Sequence, residues 1–179
     1  MTSPRVTLLL AVLCSFAVVA RGADAAPTSV SAVNAFKKLE RPLIRKLNRV
    51  RDAHGLEPLT KSVPLRRAAA AHASAMGRGG FFSHTSLDGT AMEQRVARFY
   101  RRTSSSSWTV GENLLWSSGP ITAGHAVEMW MNSPAHRRNI LDPRFREIGI
   151  AAVGAGAAAG VFAGNDVTIV ATDFGARSG

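Results

Sequence analysis

The stretch Val127-Glu-Met-Trp-Met-Asn-Ser-Pro-Ala-His-Arg-Arg-Asn-Ile-Leu141 contains a helix end, a helix start and a histidine. Ala126, Val127, Trp130 and Met131 recur at the spacing of a short helix with one buried stripe. Ser133-Pro134 reads as an N-cap followed by a first helical position. There a serine oxygen takes an orphan backbone N–H, and proline has no N–H to lose. His136 therefore falls in the first turn of a second helix, which Asp142-Pro143 stops. A histidine on such a turn is held in a set direction.

Working outward, the N-terminal 25 residues read as a signal peptide. Arg5 is the positive n-region, Val6–Ala20 is an apolar run, and Ala23-Asp24-Ala25 is a small-x-small cleavage site. The run falls short of the roughly twenty residues that span a bilayer. Bulky Leu13 before Cys14 argues against a lipoprotein signal. Cleavage would remove the chain's single cysteine and leave a formal charge of +9, from +10 for the whole. The expectation is an exported protein, secreted or in the cell envelope, held by burial alone and not by disulfides. Its basic surplus points to anionic partners such as envelope polymers or lipid head groups. No aromatic–basic alternation suggests a nucleic-acid platform, so none is expected as partner.

Residues 26–40 read as a lead-in segment and 41–177 as one domain. Arg41-Pro42 opens an amphipathic helix with Leu43, Ile44, Leu47 and Val50 on its buried face, Asn48 and Arg51 elsewhere, and Gly55 at its end. A second, alanine-rich helix spans 64–76, capped by Ser62 and ended by Gly77, with His72 a packing residue. Phe81-Phe82 anchors His84, and Thr90-Ala-Met-Glu93 is a capping box for a helix to Phe99 with Met92, Val96 and Phe99 inward. Arg101–Ser107 reads as a low-complexity loop. Trp108–Val110 is a strand entering Gly111-Glu112-Asn113. Glu112 stands in an otherwise apolar stretch, so it needs a cation or N–H donors to offset burial.

Strands are expected over 145–153 and 167–174, joined by a glycine-rich hairpin connection. Gly154-Ala-Gly156-Ala-Ala-Ala159 spells a dinucleotide fingerprint, but Gly160 and Gly164 leave no room for the helix that must follow. Helices before and between strands point to an α/β fold. A three-layer α/β/α sandwich around a small mixed or antiparallel sheet accommodates them.

Three blocks occur in order: Phe82-Ser-His84-Thr-Ser-Leu-Asp-Gly89, Gly111-Glu112-Asn113-Leu114 and Trp130-Met-Asn-Ser-Pro-Ala-His136-Arg-Arg-Asn139-Ile-Leu141. With Leu47-Asn48-Arg-Val-Arg51 and Asp173-Phe174-Gly175, they make residues 40 to 175 resemble the CAP superfamily, the cysteine-rich secretory, antigen 5 and pathogenesis-related 1 proteins. The lack of cysteine resembles its bacterial, disulfide-free form. That resemblance implies the sandwich fold and a cavity of two histidines and two glutamates. His84, Glu112 and His136 match three of these; Ser133 stands where the family's second glutamate follows the tryptophan by three residues, and Glu128 faces elsewhere.

Two imidazoles and a carboxylate can hold a divalent metal ion, zinc foremost, with water completing the shell. They can equally form a metal-free network pinning three loops. No histidine-glutamate-x-x-histidine pattern, Gly-x-Ser-x-Gly elbow or mature cysteine nucleophile is present. The expected function is binding or interaction through this cavity. The alternative is a metal-assisted hydrolase acting on peptide or cell-envelope material.

Overall fold

A computed structural model describes residues 30–31, 37–101 and 108–177. The signal segment, most of the lead-in and residues 102–107 of the low-complexity loop lie outside them. The elements are β1 (Val30–Ser31), α1 (Lys37–Asp52), β2 (Thr60–Lys61), α2 (Val63–Gly79), α3 (Met92–Ala97), β3 (Trp108–Ser118), α4 (Ala123–Asn132), α5 (Pro134–Leu141), β4 (Glu147–Ala158) and β5 (Asn165–Arg177). A single turn of 3-10 helix, Gly160–Phe162, links the last two strands.

The sheet runs β1–β4–β5–β3, antiparallel throughout, with the short β2 added to β4 in parallel, so it is mixed. Alternation along the strands gives it two buried faces. Leu115, Ile148, Ile150, Ala152, Val170 and Phe174 meet Leu43 and Leu47 of α1, Trp130 of α4 and Ile140 of α5. On the other face Leu114, Ala151, Val153, Ile169 and Ala171 meet Ala69, Ala73 and Met76 of α2. Helix, sheet, helix is the three-layer sandwich. Each large apolar side chain buried this way contributes about 1.5–3 kcal/mol.

Small residues set the spacing of the α2 layer. A Cβ on Gly149 of β4 would lie 2.0 Å from the Arg66 nitrogen of α2, so the helix start rests directly on the strand. Gly77 belongs to the same device: it lies inside α2, where a Cβ would meet that of Ala155 at 3.2 Å. It therefore does not end the helix; Gly80 does, with φ +64°.

Several other boundaries differ from expectation for identifiable reasons. α1 starts before Pro42, tolerating the lost hydrogen bond because Leu43 and Leu47 are wholly buried. The capping box at Thr90 does not form: α3 is capped at Ala91 without a side-chain bond, and the Thr90 amide donates to Asp88 Oδ1 instead. Tyr100, not Phe99, is the buried aromatic that follows α3, its hydroxyl donating to Glu147. Gly111 interrupts nothing, since β3 is one continuous strand, and Gly154–Ala158 extends β4 through an irregularity instead of forming a loose connection. Ser133 occupies the N-cap of α5 as expected, though its hydroxyl makes no capping bond.

The largest departure is Arg51. Expected off the buried face, it is wholly buried. Its guanidinium donates to the carbonyls of Glu57 (2.8 Å), Ile140 (2.8 Å), Asp142 (3.0 Å) and Phe145 (3.3 Å). It thereby ties the end of α1 to the end of α5. Replacing it with methionine keeps the apolar stem and strands those carbonyls. Arg51→Met is expected to lose about 3 kcal/mol or more in urea denaturation. A midpoint unchanged from the parent would remove this anchor from the account.

Candidate functional site

Glu112 sits in the middle of β3 with none of its side chain exposed, on the face covered by α2 and α3. Gly111 before it is required by crowding: a Cβ there would lie 2.9 Å from the Phe145 ring and 3.3 Å from Asn139 Oδ1. Both carboxylate oxygens are engaged. Oε1 accepts from His84 Nδ1 at 2.8 Å, and Oε2 accepts from Arg95 Nη2 at 2.6 Å. The cation that a buried Glu112 demands is therefore Arg95 of α3, itself only 6% exposed.

Arg95 does a second job. Its Nη1 donates to the His84 carbonyl at 3.0 Å and more weakly to Ser86 Oγ at 3.4 Å, fixing the loop that carries His84. A carboxylate only accepts, so the His84 proton sits on Nδ1 and Nε2 is left outward. The imidazole is 56% exposed, so this nitrogen is open to a ligand.

His136 is carried by α5, whose backbone is tied to β3 beside Glu112. Asn113 Nδ2 donates to the His136 carbonyl (3.0 Å), while Asn139 Nδ2 donates to the Glu112 carbonyl (3.0 Å) and to Asn113 Oδ1 (2.8 Å). The two asparagines lace the helix to the strand one residue after Glu112. Burial lowers the His136 pKa first, and repulsion from His84 lowers it further. Beside His136 opens a hollow of about 280 Å³ lined by Phe82, Leu114, Leu115, Trp116, Met129, Trp130 and Ser133. The Trp130 indole spends its N–H on the Leu114 carbonyl, which leaves this lining apolar.

The structure thus brings His84 and Glu112 into contact, while His136 lines the hollow on α5. Among the described residues, no three of His, Cys, Asp and Glu are gathered in a way that holds a metal ion. Glu128 is exposed on α4, and Asp142 is bound to Arg144 at 2.6 Å. Arg137 and Arg138 do not line the histidine hollow. They border a separate groove of about 660 Å³ with Met131, Pro134 and Leu141. His72 is the packing residue it was expected to be, donating from Nε2 to the Ser83 carbonyl at 2.8 Å and so steadying the same loop.

Beside Glu112 lies a residue that the sequence marks only as the start of the closing Asp173-Phe174-Gly175 block. Asp173 of β5 is the cross-strand partner of Glu112 and is completely buried. Burial pushes its carboxyl well above the usual range, and the Glu112 charge pushes it the same way. Two carboxyl groups across one pair of strands resist ionising together in such surroundings, and the raised pKa favours the proton on Asp173, the one without an arginine partner.

Residues 44–166 match the model of the CAP, cysteine-rich secretory protein family. The chain is 31% identical over 134 residues to the uncharacterized protein YkwD of Bacillus subtilis, covering 75% of this chain and 50% of that one. It is 28% identical over 141 residues to the uncharacterized membrane protein YlbC of the same organism, covering 75% and 38%. The chain therefore spans half or less of the relatives it matches. Its fold is similar to that of an outer surface protein from Borrelia burgdorferi, with TM-score 0.62 at 22% identity over 84% of this chain and 99% of that one. It is also similar to an extracellular SCP-domain protein from Bacillus anthracis, with TM-score 0.58 at 22% identity over 80% and 43%. The histidines at 84 and 136 and the glutamate at 112 thus stand within the matched span, on the expected sandwich: this chain belongs to the CAP family of cysteine-rich secretory proteins.

Proposed function

We propose that this chain is an extracellular or surface-exposed binding domain whose ligand seat is the hollow beside His136, with the half-exposed His84 imidazole as a second polar contact. One observation carries the reading: both Glu112 oxygens are committed, to His84 and to Arg95. A carboxylate so held is a poor general base, because taking a proton would break its ion pair with a buried arginine. It is a good orienting group for an imidazole. What remains open is the outward nitrogen of His84, the His136 ring and the apolar hollow beside it. Those groups capture a ligand and supply no evident turnover chemistry.

A divalent ion fits this donor set only in part. His84 and His136 would hold it, Glu112 would orient the first imidazole from behind, and solvent or ligand would fill the remaining positions. Bound there, zinc would attract an anionic or carbonyl-bearing ligand. The extracellular reading draws on the expected cleavage after Ala25 and on the outer-surface and extracellular proteins that share the fold. None of the described helices is long and apolar enough to cross a membrane. The net charge of +10 suits an anionic envelope polymer or lipid as partner.

Equilibrium dialysis against zinc tests the seat. One ion per chain is expected for the parent, with affinity at least about tenfold weaker in His84→Ala or His136→Ala. Equal retention by the double variant would end the two-histidine reading. Time-dependent cleavage of peptide or envelope material by the parent, abolished in the double variant, would replace capture by hydrolysis.

The pH dependence separates the titrations of His136 and Asp173. The folded His136 pKa lies below its unfolded value, so the unfolded chain binds the extra proton and stability falls as pH drops below about 6.5. His136→Gln should flatten that limb. Asp173 works the other way: its raised folded pKa stabilises the protein at low pH, and this contribution is lost as pH rises through that pKa. Thermal midpoints of Asp173→Asn should therefore gain on the parent as pH increases. A gap between the two that stays constant with pH would show that Asp173 is not held protonated.

A further inference from the structure

We propose that the N-terminal end of α2 is a second binding site, for a phosphate-sized oxyanion. It is built over β4, not on the β3 strand that carries Glu112, and the function proposed above makes no use of it. A cavity of about 220 Å³ opens there, bordered by Arg41, Lys61, Ser62, Val63 and Arg66, with Glu40 at one side. That volume is below the range of about 300–1,000 Å³ usual for drug-sized ligands, and it suits a small group.

The decisive residue is Ser62. It is only 4% exposed, it lines this cavity, and among the described residues its hydroxyl has no hydrogen-bond partner. It stands at the N-cap of a seventeen-residue helix yet makes no capping bond. A serine at that position ordinarily accepts from the second or third helical amide; here the hydroxyl is buried and unpartnered beside the cavity. The helix start leaves more donors. Pro64 has no N–H, and the Val63 and Leu65 amides find no backbone acceptor among the described residues. Orphan amides at the positive end of a long helix are a ready anion seat.

The surrounding charge has the matching sign. Arg41 and Lys61 are exposed and carry no carboxylate partner among the described residues. Arg66 is held through Nε by Glu40 at 2.9 Å, which neutralises the one acid at the rim and leaves its Nη groups without a carboxylate partner among the described residues. Three cations, a hydroxyl and the helix start border a small cavity with an apolar floor of Ile44, Ile148 and Ile150, roomy enough for a tetrahedral oxyanion and part of what carries it. Phosphate is the group that such a set recognises, as the free ion or as a lipid head group.

The test is a titration of ¹⁵N-labelled full chain with sodium phosphate against sodium chloride of matched ionic strength. The Val63 and Leu65 amide signals should move along a saturating curve in phosphate only. Ser62→Ala should weaken that binding by about fivefold or more, and Lys61→Gln by about threefold, the latter change lying at an exposed position that does not threaten folding. Arg137→Glu with Arg138→Glu, on α5, should leave it unchanged. Co-flotation with phosphatidylglycerol vesicles but not phosphatidylcholine ones, lost in Lys61→Gln, would assign a head-group phosphate; saturation by phosphate without flotation would assign the free ion. Linear shifts at tens of millimolar phosphate, or equal weakening by the α5 double variant, would overturn the site and leave only general attraction to a basic protein.

Discussion

A carboxylate in the middle of a strand, with no water in reach, is the constraint around which this protein is arranged. Stranding such a charge costs several kcal/mol. The fold answers Glu112 from two sides: the guanidinium of Arg95 takes one oxygen and the His84 ring takes the other. Each answer has a structural consequence. Arg95 can pair with Glu112 only if α3 lies against β3, and from there it also grips the His84 carbonyl. The loop between α2 and α3, which has no strand or helix of its own to hold it, is positioned by a charge buried beneath it. Asp173 completes the arrangement by staying neutral, so that one net negative charge, not two, meets one arginine.

The second imidazole is placed by a different kind of device. α5 is barely two turns long, too short to be stable by itself. It is fastened at both ends. Asn113 and Asn139 tie it to β3 beside Glu112, and Arg51 takes carbonyls at and after its C-terminal end. These are hydrogen bonds from fully or largely buried side chains to main-chain oxygens, with one pair of amides between side chains. In a domain with no cysteine beyond its first 25 residues, they do for the loops what cross-links would otherwise do. They differ from cross-links in one respect: a charge-bearing anchor responds to local electrostatics. Movement at His84 is felt by Arg95, and movement of Arg95 is felt by α3.

Much of this is legible in the chain alone. The α5 start at Ser133-Pro134, its stop at Asp142, the inward stripe of Ile148, Ile150 and Ala152, and the sandwich itself follow from caps, periodicity and family resemblance. That Glu112 needs a cation follows from desolvation. Which cation does not, because Arg95 is seventeen residues away and meets Glu112 only through α3 packing. Arg51 has a readable signal: it continues the Leu43, Leu47 row at the next i+4 position, and only its charge argues it off that face. Gly77 and Gly111 read as ends because a glycine that ends an element and one that lets two elements touch look alike in one dimension. Only the Cβ positions tell them apart. Asp173 pairs with Glu112 through the β3–β5 register, which no local pattern encodes.

The division of charge within the site bears on what it can do. A hydrolytic centre needs a group that changes protonation during the reaction and an open position beside it. Here the acid with a proton to give, Asp173, is sealed from solvent, and the acid that lacks one is locked to arginine. The two groups that do face outward differ from each other. His84 is polarised by a carboxylate from behind, whereas His136 has an apolar hollow at its side and a pKa held down by burial. One imidazole is thus oriented by a carboxylate, and the other is favoured in its neutral form. On the binding reading proposed above, such a pair would hold a ligand by one polar end while its apolar part enters the hollow beside Trp130. Glu112, together with Arg95, fixes the position of the His84 loop.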